Sequence, residues 1–155
     1  MKVIIIEDEK PAARRLNRML NELGLEPIVM LHSVEESLNW LAKNQHPDLI
    51  FLDIQLSDGL SFEIFDEIEV NSAIIFTTAY DEYALKAFKL NSIDYLLKPI
   101  DADELENAVE KFKIIFESTK ESFSGFENLI NMVIFVHNVE GLKSGLYIFI
   151  RAKKY

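Results

Sequence analysis

The sequence predicts an α/β fold in which helices cover both faces of one five-stranded parallel sheet. Apolar runs alternate with helical patterns five times along the 155 residues. The runs are nearly continuous in apolar residues, as expected for strands buried on both faces. Polar residues follow several runs directly, at the points where strands of such a sheet would end. These observations favour a doubly wound sheet over an all-α or all-β fold.

The five strands follow from short apolar runs between helical segments. Pro27 begins the second run, which suits an edge strand. Right-handed crossovers and the order 2-1-3-4-5 would place the first strand beside the third, with the fourth and fifth further out. In chain order, the strands are predicted at Val3–Ile6, Pro27–Leu31, Asp48–Leu52, Ala73–Thr77 and Asp94–Leu97.

The helices are delimited by start and stop residues. Pro11 suits a first helical turn, and Gly24 is expected to end the first helix. Ser33 and Glu36 have the spacing of a capping box at the start of the second. The segment Gln55–Gly59 is predicted to be a loop. In chain order, the helices are predicted at Lys10–Leu23, from Ser33 through Leu41, around Ser61–Glu69, at Asp81–Leu90 and from Asp101 to about Lys120.

Composition excludes several classes of protein. There is no cysteine, so neither disulfides nor thiolate metal sites are possible. The start MKVIIIEDE lacks the apolar region of a signal peptide, and no apolar run reaches the roughly 18 residues of a membrane span. We therefore expect a cytoplasmic protein without membrane contact. His32, His46 and His137 share no ligand spacing, and no metal or catalytic role is expected for them.

Charge and composition divide the chain into residues 1–120, the main domain, and 121–155, a linker plus a short tail. The first part carries 12 Lys and Arg against 23 Asp and Glu, and the second carries 4 against 3. So acidic a domain is a poor surface for nucleic acid, whose phosphates require Lys and Arg. Ser, Thr, Lys and Gly cluster at Ser118–Gly125, which predicts the linker.

Five polar side chains follow the ends of predicted strands, and they are Glu7, Asp8, Asp53, Thr78 and Lys98. Ligands of open α/β sheets bind beyond the carboxyl ends of the strands, so these groups should line one crevice. Carboxylate oxygens suit Mg²⁺, and a lysine and a hydroxyl suit a phosphoryl group. The pattern predicts a site for both, with Asp53 as a carboxylate nucleophile.

Each of these residues also has a simpler interpretation. Glu7 and Asp8 could belong to a solvated loop, Asp53 could begin a turn, and Lys98 could be a solvated surface lysine. Thr77 and Thr78 could both be ordinary strand residues. Only one of the two threonines can face the site, and Thr78 is chosen because it is nearer the end of its strand. The occurrence of all these groups at successive strand ends favours a common site.

Four segments, VIIIEDE, FLDIQLSDG, IIFTTAYDEYALKAF and SIDYLLKPI, resemble the receiver domains of two-component response regulators. The last two resemble the LytTR (LytR/AlgR) subfamily in particular. The resemblance covers residues 1–120 and implies a flavodoxin-like (CheY-like) fold. It also implies a phosphorylation switch in transcription regulation, limited to Mg²⁺-dependent self-phosphorylation and autodephosphorylation rather than turnover. The implied partners are a sensor histidine kinase and a second copy, bound through the fourth helix, fifth strand and fifth helix around Lys86–Glu110.

The resemblance assigns the metal and acceptor roles residue by residue. Asp53 would accept the phosphoryl group. Glu7 and Asp8 would hold Mg²⁺ together with Asp53 and the backbone carbonyl of Gln55. Glu7 replaces the aspartate that is commoner in the family and is one methylene longer. A contact between Glu7 and Mg²⁺ through water is therefore an alternative to direct coordination.

The resemblance also assigns the switch residues. Lys98 would pair with the phosphoryl oxygens, and the Thr78 hydroxyl would move to bond one of them. Tyr95 would be the aromatic residue that turns inward as Thr78 moves. Lys98 and Pro99 would be joined by a cis peptide bond, which is common only before proline.

The tail leaves the output of the protein open. LytTR regulators continue into a DNA-binding domain of mostly β structure, for which residues 121–155 are too few. The strand-like runs Met132–Val136 and Leu146–Ile150 fit a remnant of that domain, a truncation or an altered reading frame. DNA contact would require a complete output domain, which this chain alone is not expected to supply.

Two other functions use similar residues. A Mg²⁺-dependent hydrolase or nuclease is the first, although Ile54 and Gln55 supply no strong general acid or base after the nucleophile. The second is an interaction module that keeps the fold without being phosphorylated.

Overall fold

A computed structural model of the chain describes residues 1–80 and 92–118. Its main feature is a sheet of five parallel strands, which runs β2-β1-β3-β6-β7 when all strands are numbered in chain order. Without the short hairpin formed by β4 and β5, this is the predicted order 2-1-3-4-5, and the fold prediction is confirmed. The strands are β1 (Val3–Ile6), β2 (Pro27–Leu31), β3 (Leu49–Asp53), β4 (Gln55–Leu56), β5 (Gly59–Leu60), β6 (Ala73–Thr78) and β7 (Asp94–Leu97).

The described helices are α1 (Lys10–Glu22), α2 (Val34–Leu41), α3 (Glu63–Glu67) and a last helix over 102–118. The predicted helix Asp81–Leu90 lies outside the described residues, as does the tail from residue 119 onward. No helix within 1–80 and 92–118 is both long and apolar enough to cross a membrane. The chain divides into two compact units, Met1–Ile114 and Ile115–Tyr155, and the sheet belongs to the first.

The strands bury both of their faces, because alternate residues of a strand point to opposite sides of a sheet. One face packs against α2 and α3, and the other faces α1 and the 102–118 helix. The buried residues of the five-stranded sheet on the first face are Ile4, Ile6, Leu31, Ile50, Leu52, Ile74 and Phe76, with Val34, Leu41 and Ile64 from the helices. The apolar ones on the second are Val3, Ile5, Leu49, Phe51, Ile75 and Leu96, with Ala13, Leu16, Leu20, Leu105, Ala108, Val109 and Phe112 from the helices.

Helix α1 ends at Glu22 and is followed by Leu23 and Gly24, the residue predicted to stop it. Gly24 has φ +74°, in the left-handed region that favours glycine. Its N–H donates to Asn21 O at 3.0 Å, and Leu25 N–H donates to Leu20 O at 2.9 Å. This is the Schellman arrangement, which satisfies carbonyls at the helix end.

Helix α2 begins with more capping groups than the sequence predicts. The Ser33 hydroxyl accepts from Glu36 N at 3.0 Å, as expected for an N-cap. The Glu36 carboxylate, however, accepts from His32 N at 2.7 Å rather than from Ser33 N, so the predicted capping box is only half formed. Asp58, distant in sequence, accepts from Val34 N at 2.8 Å and from Glu35 N at 3.0 Å.

Two local predictions differ from the structure. The segment Gln55–Gly59 is not an open loop, because β4 and β5 form an antiparallel hairpin around Ser57 and Asp58. Strands of two residues are too short to show an alternating pattern. Helix α3 covers Glu63–Glu67 rather than Ser61–Glu69, since Ser61 and Phe62 form a turn before it.

Candidate functional site

The predicted site residues meet at the carboxyl ends of the parallel strands. Glu7 and Asp8 follow β1, Asp53 is the last residue of the central strand β3, and Lys98 follows β7. A cavity of about 580 Å³ opens at this edge of the sheet. Its polar lining contains all five predicted groups, and with Gln55 they are Glu7, Asp8, Asp53, Gln55, Thr78 and Lys98.

Of the two threonines at the end of β6, only Thr78 lines the cavity. Asp53 pairs with Thr77 across β3 and β6, and Thr78 pairs with Leu97 across β6 and β7. Successive residues of a strand point to opposite faces, so the two threonines cannot share the site. Thr78 lines the cavity, whereas Thr77 is buried and its carbonyl accepts from Ile54 N at 3.3 Å.

Lys98 connects two of the three acidic side chains. Its Nζ lies 2.6 Å from Glu7 Oε2 and also forms an ion pair with Asp53 Oδ2. The side chains of Glu7 and Asp53 are only 2% and 7% exposed, and that of Lys98 is 19% exposed. The ammonium therefore pairs with two carboxylates that are almost removed from solvent, where an unpaired charge would be costly.

The pKa values of two groups are displaced by this arrangement. Burial raises the pKa of Glu7 from 4.5 to about 7; Asp53 adds repulsion, and hydrogen bonds from Lys98 and the Glu9 N–H oppose the rise. Burial would lower the pKa of Lys98, but hydrogen bonds and charge attraction from Asp53 and Glu7 outweigh it and raise that pKa. At neutral pH the lysine is thus charged, while Glu7 is close to its pKa and is present in both the protonated and the ionised form.

The three carboxylates fit a divalent cation. One oxygen each from Glu7, Asp8 and Asp53 lie within 4.8 Å of one another, and Asp8 is the most exposed of the three. Carboxylate and carbonyl oxygens are the ligands that Mg²⁺ takes, usually with several waters retained. The half-buried Gln55 lines the same cavity, and its N–H donates to Asp53 Oδ1 at 3.2 Å. The donor set and the open cavity suit Mg²⁺ with part of its water shell.

The predicted switch residues are joined through the segment after β6. Thr78 Oγ1 accepts from Tyr80 N at 3.3 Å, and the Tyr95 hydroxyl donates to Tyr80 O. Tyr95 is half-buried and packs against the core on the α2 face of the sheet. The Lys98–Pro99 peptide bond is cis, and Lys98 N donates to Thr78 O at 2.7 Å.

Sequence reasoning missed three residues that support the site. His32 Nδ1 lies 2.7 Å from Glu7 O and donates to it, because a carbonyl can only accept. The Arg15 guanidinium donates to Ile100 O at 3.1 Å, two residues after Lys98. Asp58 binds the start of α2. The arginine and histidine contacts carry no spacing signal, since they join residues far apart in sequence; Ser57-Asp58-Gly59 indicated only a turn.

Comparison with known proteins identifies the family. Residues 3–110 match the family described as the response regulator receiver domain. Sensory transduction protein LytT of Bacillus anthracis is 41% identical over 117 residues, which are 73% of this chain and 47% of the relative. Transcriptional regulatory protein LytR of Staphylococcus aureus (strain MW2) is 41% identical over 132 residues, which are 83% and 53% of the two chains. This chain therefore spans about half the length of these curated relatives.

Solved structures agree with the fold. The response regulatory domain of protein mrkE from Klebsiella pneumoniae has a TM-score of 0.67 and 34% identity, and the match covers 76% of this chain and 99% of that one. A CheY-like receiver domain from Methylobacillus flagellatus has a TM-score of 0.63 and 21% identity, and the match covers 72% of this chain and 98% of that one. At this identity the likeness supports the fold alone. The predicted resemblance to LytTR receivers is confirmed by the LytR and LytT relatives.

Proposed function

This chain belongs to the family of response regulator receiver domains, and on that premise we propose that Asp53 accepts a phosphoryl group from a sensor histidine kinase. The observation that carries the proposal is the position of Asp53. It ends the central strand, is bound by Lys98 and has the carboxylates of Glu7 and Asp8 within reach. A nucleophilic carboxylate beside a fixed ammonium and a group of metal-binding oxygens is the arrangement that phosphoryl transfer requires.

In the transfer step, a carboxylate oxygen of Asp53 attacks the phosphorus of a phosphohistidine. A phosphorus–oxygen bond forms while the phosphorus–nitrogen bond breaks, and the imidazole nitrogen keeps the electron pair. Lys98 moves its ammonium from the carboxylates to the phosphoryl oxygens. Thr78 supplies a hydroxyl at the wall of the cavity. The protein thus contributes position and charge neutralisation, which dominate in reactions of this class.

Glu7, Asp8, Asp53 and the backbone carbonyl of Gln55 would hold Mg²⁺. When bound, the cation supplies positive charge against the phosphoryl oxygens and relieves repulsion among the carboxylates. Glu7 would release its proton as it becomes a ligand, because a carboxyl group binds a metal in its deprotonated form. Its raised pKa makes this release measurable near neutral pH.

Tyr80 links the two proposed switch residues. If the Thr78 hydroxyl turns toward a phosphoryl oxygen, it leaves the Tyr80 N–H, and the Tyr80 carbonyl that binds Tyr95 is free to shift. Tyr95 would then turn inward. This population shift would alter the surface around Lys86–Glu110, where a second copy would bind.

We assign the output of the switch to transcription regulation in the cytoplasm, since the relatives include proteins named transcriptional regulatory protein LytR. Residues 1–120 would form the receiver, and residues 121–155 a linker and tail. DNA would be contacted by a separate output domain rather than by the acidic receiver.

The test is the mass of the intact protein after incubation with acetyl phosphate and Mg²⁺. The wild type should gain one phosphoryl group only when Mg²⁺ is present, and Asp53→Asn should gain none. Asp66→Asn removes a carboxylate from an exposed position on α3 and is the matched control, which should be modified like the wild type. An unmodified wild type, or equal modification of Asp53→Asn, would exclude Asp53 as the acceptor.

A further inference from the structure

The first turn of α2 is held by a side chain from the hairpin that follows Asp53. Both carboxylate oxygens of Asp58 accept from backbone N–H groups there, Oδ1 from Val34 and Oδ2 from Glu35. Desolvation would raise the pKa of Asp58, but hydrogen bonds from the backbone N–H groups of Glu35, Val34 and Asp58 itself outweigh it and lower that pKa. Asp58 is therefore ionised at neutral pH and acts as a charged cap on a helix 24 residues away in sequence.

The hairpin carries one of the proposed metal ligands. Gln55 pairs with Leu60, and Asp58 lies in the two-residue turn between β4 and β5. The far strand is anchored separately, because the Glu63 carboxylate accepts from Leu60 N at 3.0 Å. The position of the Gln55 carbonyl thus depends on how firmly this small hairpin is held.

The same end of α2 also reaches the segment that carries Glu7. The Glu36 carboxylate binds His32 N, and His32 Nδ1 donates to the backbone carbonyl of Glu7. One helix terminus is consequently bonded to both sides of the acidic site. On one side it holds the hairpin of Gln55 through Asp58, and on the other it holds the backbone of Glu7.

We propose that Asp58 is a positioning residue for the metal site. By fixing the hairpin to α2, it fixes the Gln55 carbonyl relative to the carboxylates of Glu7 and Asp53. Asp58 does not touch the cation and would act only through the hairpin. This inference rests on the proposed function, because it requires that the site bind Mg²⁺. Substitution of a residue that orients metal ligands typically weakens metal binding by about 10- to 100-fold, and we expect about tenfold weaker binding for Asp58→Ala.

The experiment is a calorimetric titration of the full chain with Mg²⁺ in high salt, which screens the loss of a distant charge. The variants are Asp58→Ala, Ser33→Ala and Asp66→Asn. Ser33→Ala removes a cap from the same end of α2, the bond to Glu36 N, but leaves the hairpin bonded. Asp66→Asn removes one exposed carboxylate elsewhere. Only Asp58→Ala should weaken Mg²⁺ binding about tenfold.

Asp58→Asn distinguishes a local effect on the metal site from a general loss of folding. Its amide oxygen can still accept one of the two hydrogen bonds, so this variant should fold even if Asp58→Ala does not. Its Kd for Mg²⁺ should fall between those of the wild type and Asp58→Ala. If Asp58→Ala does not fold, Asp58→Asn alone decides, and a Kd equal to that of the wild type would overturn the inference. Equal weakening by Ser33→Ala would also overturn it, since the effect would then come from α2 in general. A wild type without Mg²⁺ affinity would overturn the proposed metal site as well.

Discussion

The titration of Glu7 gives the receiver a stability that falls as pH rises, and Glu7→Gln should remove that dependence. The folded pKa of about 7 lies above the ordinary value of 4.5, so the folded protein binds the proton more tightly than the unfolded chain. Stability contributed by protonated Glu7 is complete below the unfolded pKa and is lost as pH rises through about 7. Relative to low pH, the titration of Glu7 therefore lowers the free energy of unfolding by about 1 kcal/mol at about pH 5.5 and by about 3 kcal/mol at about pH 8.

The assay is urea unfolding of wild type and Glu7→Gln at these two pH values, with EDTA present to remove cations. Trp40 is the only tryptophan, lies half-buried on α2 and reports the unit that contains the site. The difference in unfolding free energy, wild type minus variant, should become about 2 kcal/mol less favourable to the wild type from the lower to the higher pH. Loss of the Lys98 contact adds a constant to this difference at both pH values and does not affect its change between them.

Glu69→Gln is the matched control, because it makes the same substitution at an exposed position. Its curves should run parallel to those of the wild type. Parallel curves for Glu7→Gln as well would refute the reasoning, since they would mean that Glu7 is already ionised at the lower pH or is not desolvated by the fold.

Four further substitutions test the packing of the domain by urea unfolding. Lys98→Met leaves Glu7 buried without its cation and should lower stability by about 3 kcal/mol at neutral pH in EDTA, with partial recovery in Mg²⁺; an unchanged midpoint would contradict the ion pairs. Ser61 is fully buried and its hydroxyl has no partner among the described residues, so Ser61→Ala should raise stability by about 1 kcal/mol. Ser37→Ala removes a buried hydroxyl that donates to the Ser33 carbonyl at 2.7 Å, and it should lower stability by about 1 kcal/mol. If both serine substitutions changed the free energy of unfolding in the same direction, this contrast would be refuted. Gly24→Ala has room for a methyl group but the wrong φ, and it should lose about 1 kcal/mol, whereas no loss would argue against the left-handed end of α1.

The sequence was sufficient for the sheet because its strands are short apolar runs bounded by polar residues. Val3–Ile6, Pro27–Leu31 and Asp94–Leu97 have the predicted bounds. The third strand was predicted to end at Leu52 but ends one residue later, at Asp53. The Asp53 backbone still pairs with Thr77, although the Asp53 side chain is polar. Strand pairing is made by backbone hydrogen bonds and does not depend on the side chain. A run of apolar residues therefore does not show that the strand continues through a polar residue.

The convergence of the site residues was also predictable, because parallel strands end at one edge. The supports behind the site were not. Asp58 and His32 act through hydrogen bonds to backbone groups of distant segments, and every residue except proline offers the same backbone donor and acceptor, so the sequence does not show which one is used. The raised pKa of Glu7 likewise depends on how deeply the fold buries it, which spacing along the chain does not determine.

The central position of β3 has a consequence for motion. This strand is bonded to β1 on one side and β6 on the other, and every residue from Leu49 to Asp53 is buried. Amide hydrogens of such a strand exchange with solvent only when the whole unit opens, whereas helix ends and hairpins open locally and far more often. Asp53 therefore sits at the end of one of the slowest-opening parts of this unit. A conformational change that begins at Asp53 is therefore expected in the helix ends and the hairpin around it rather than in β3 itself.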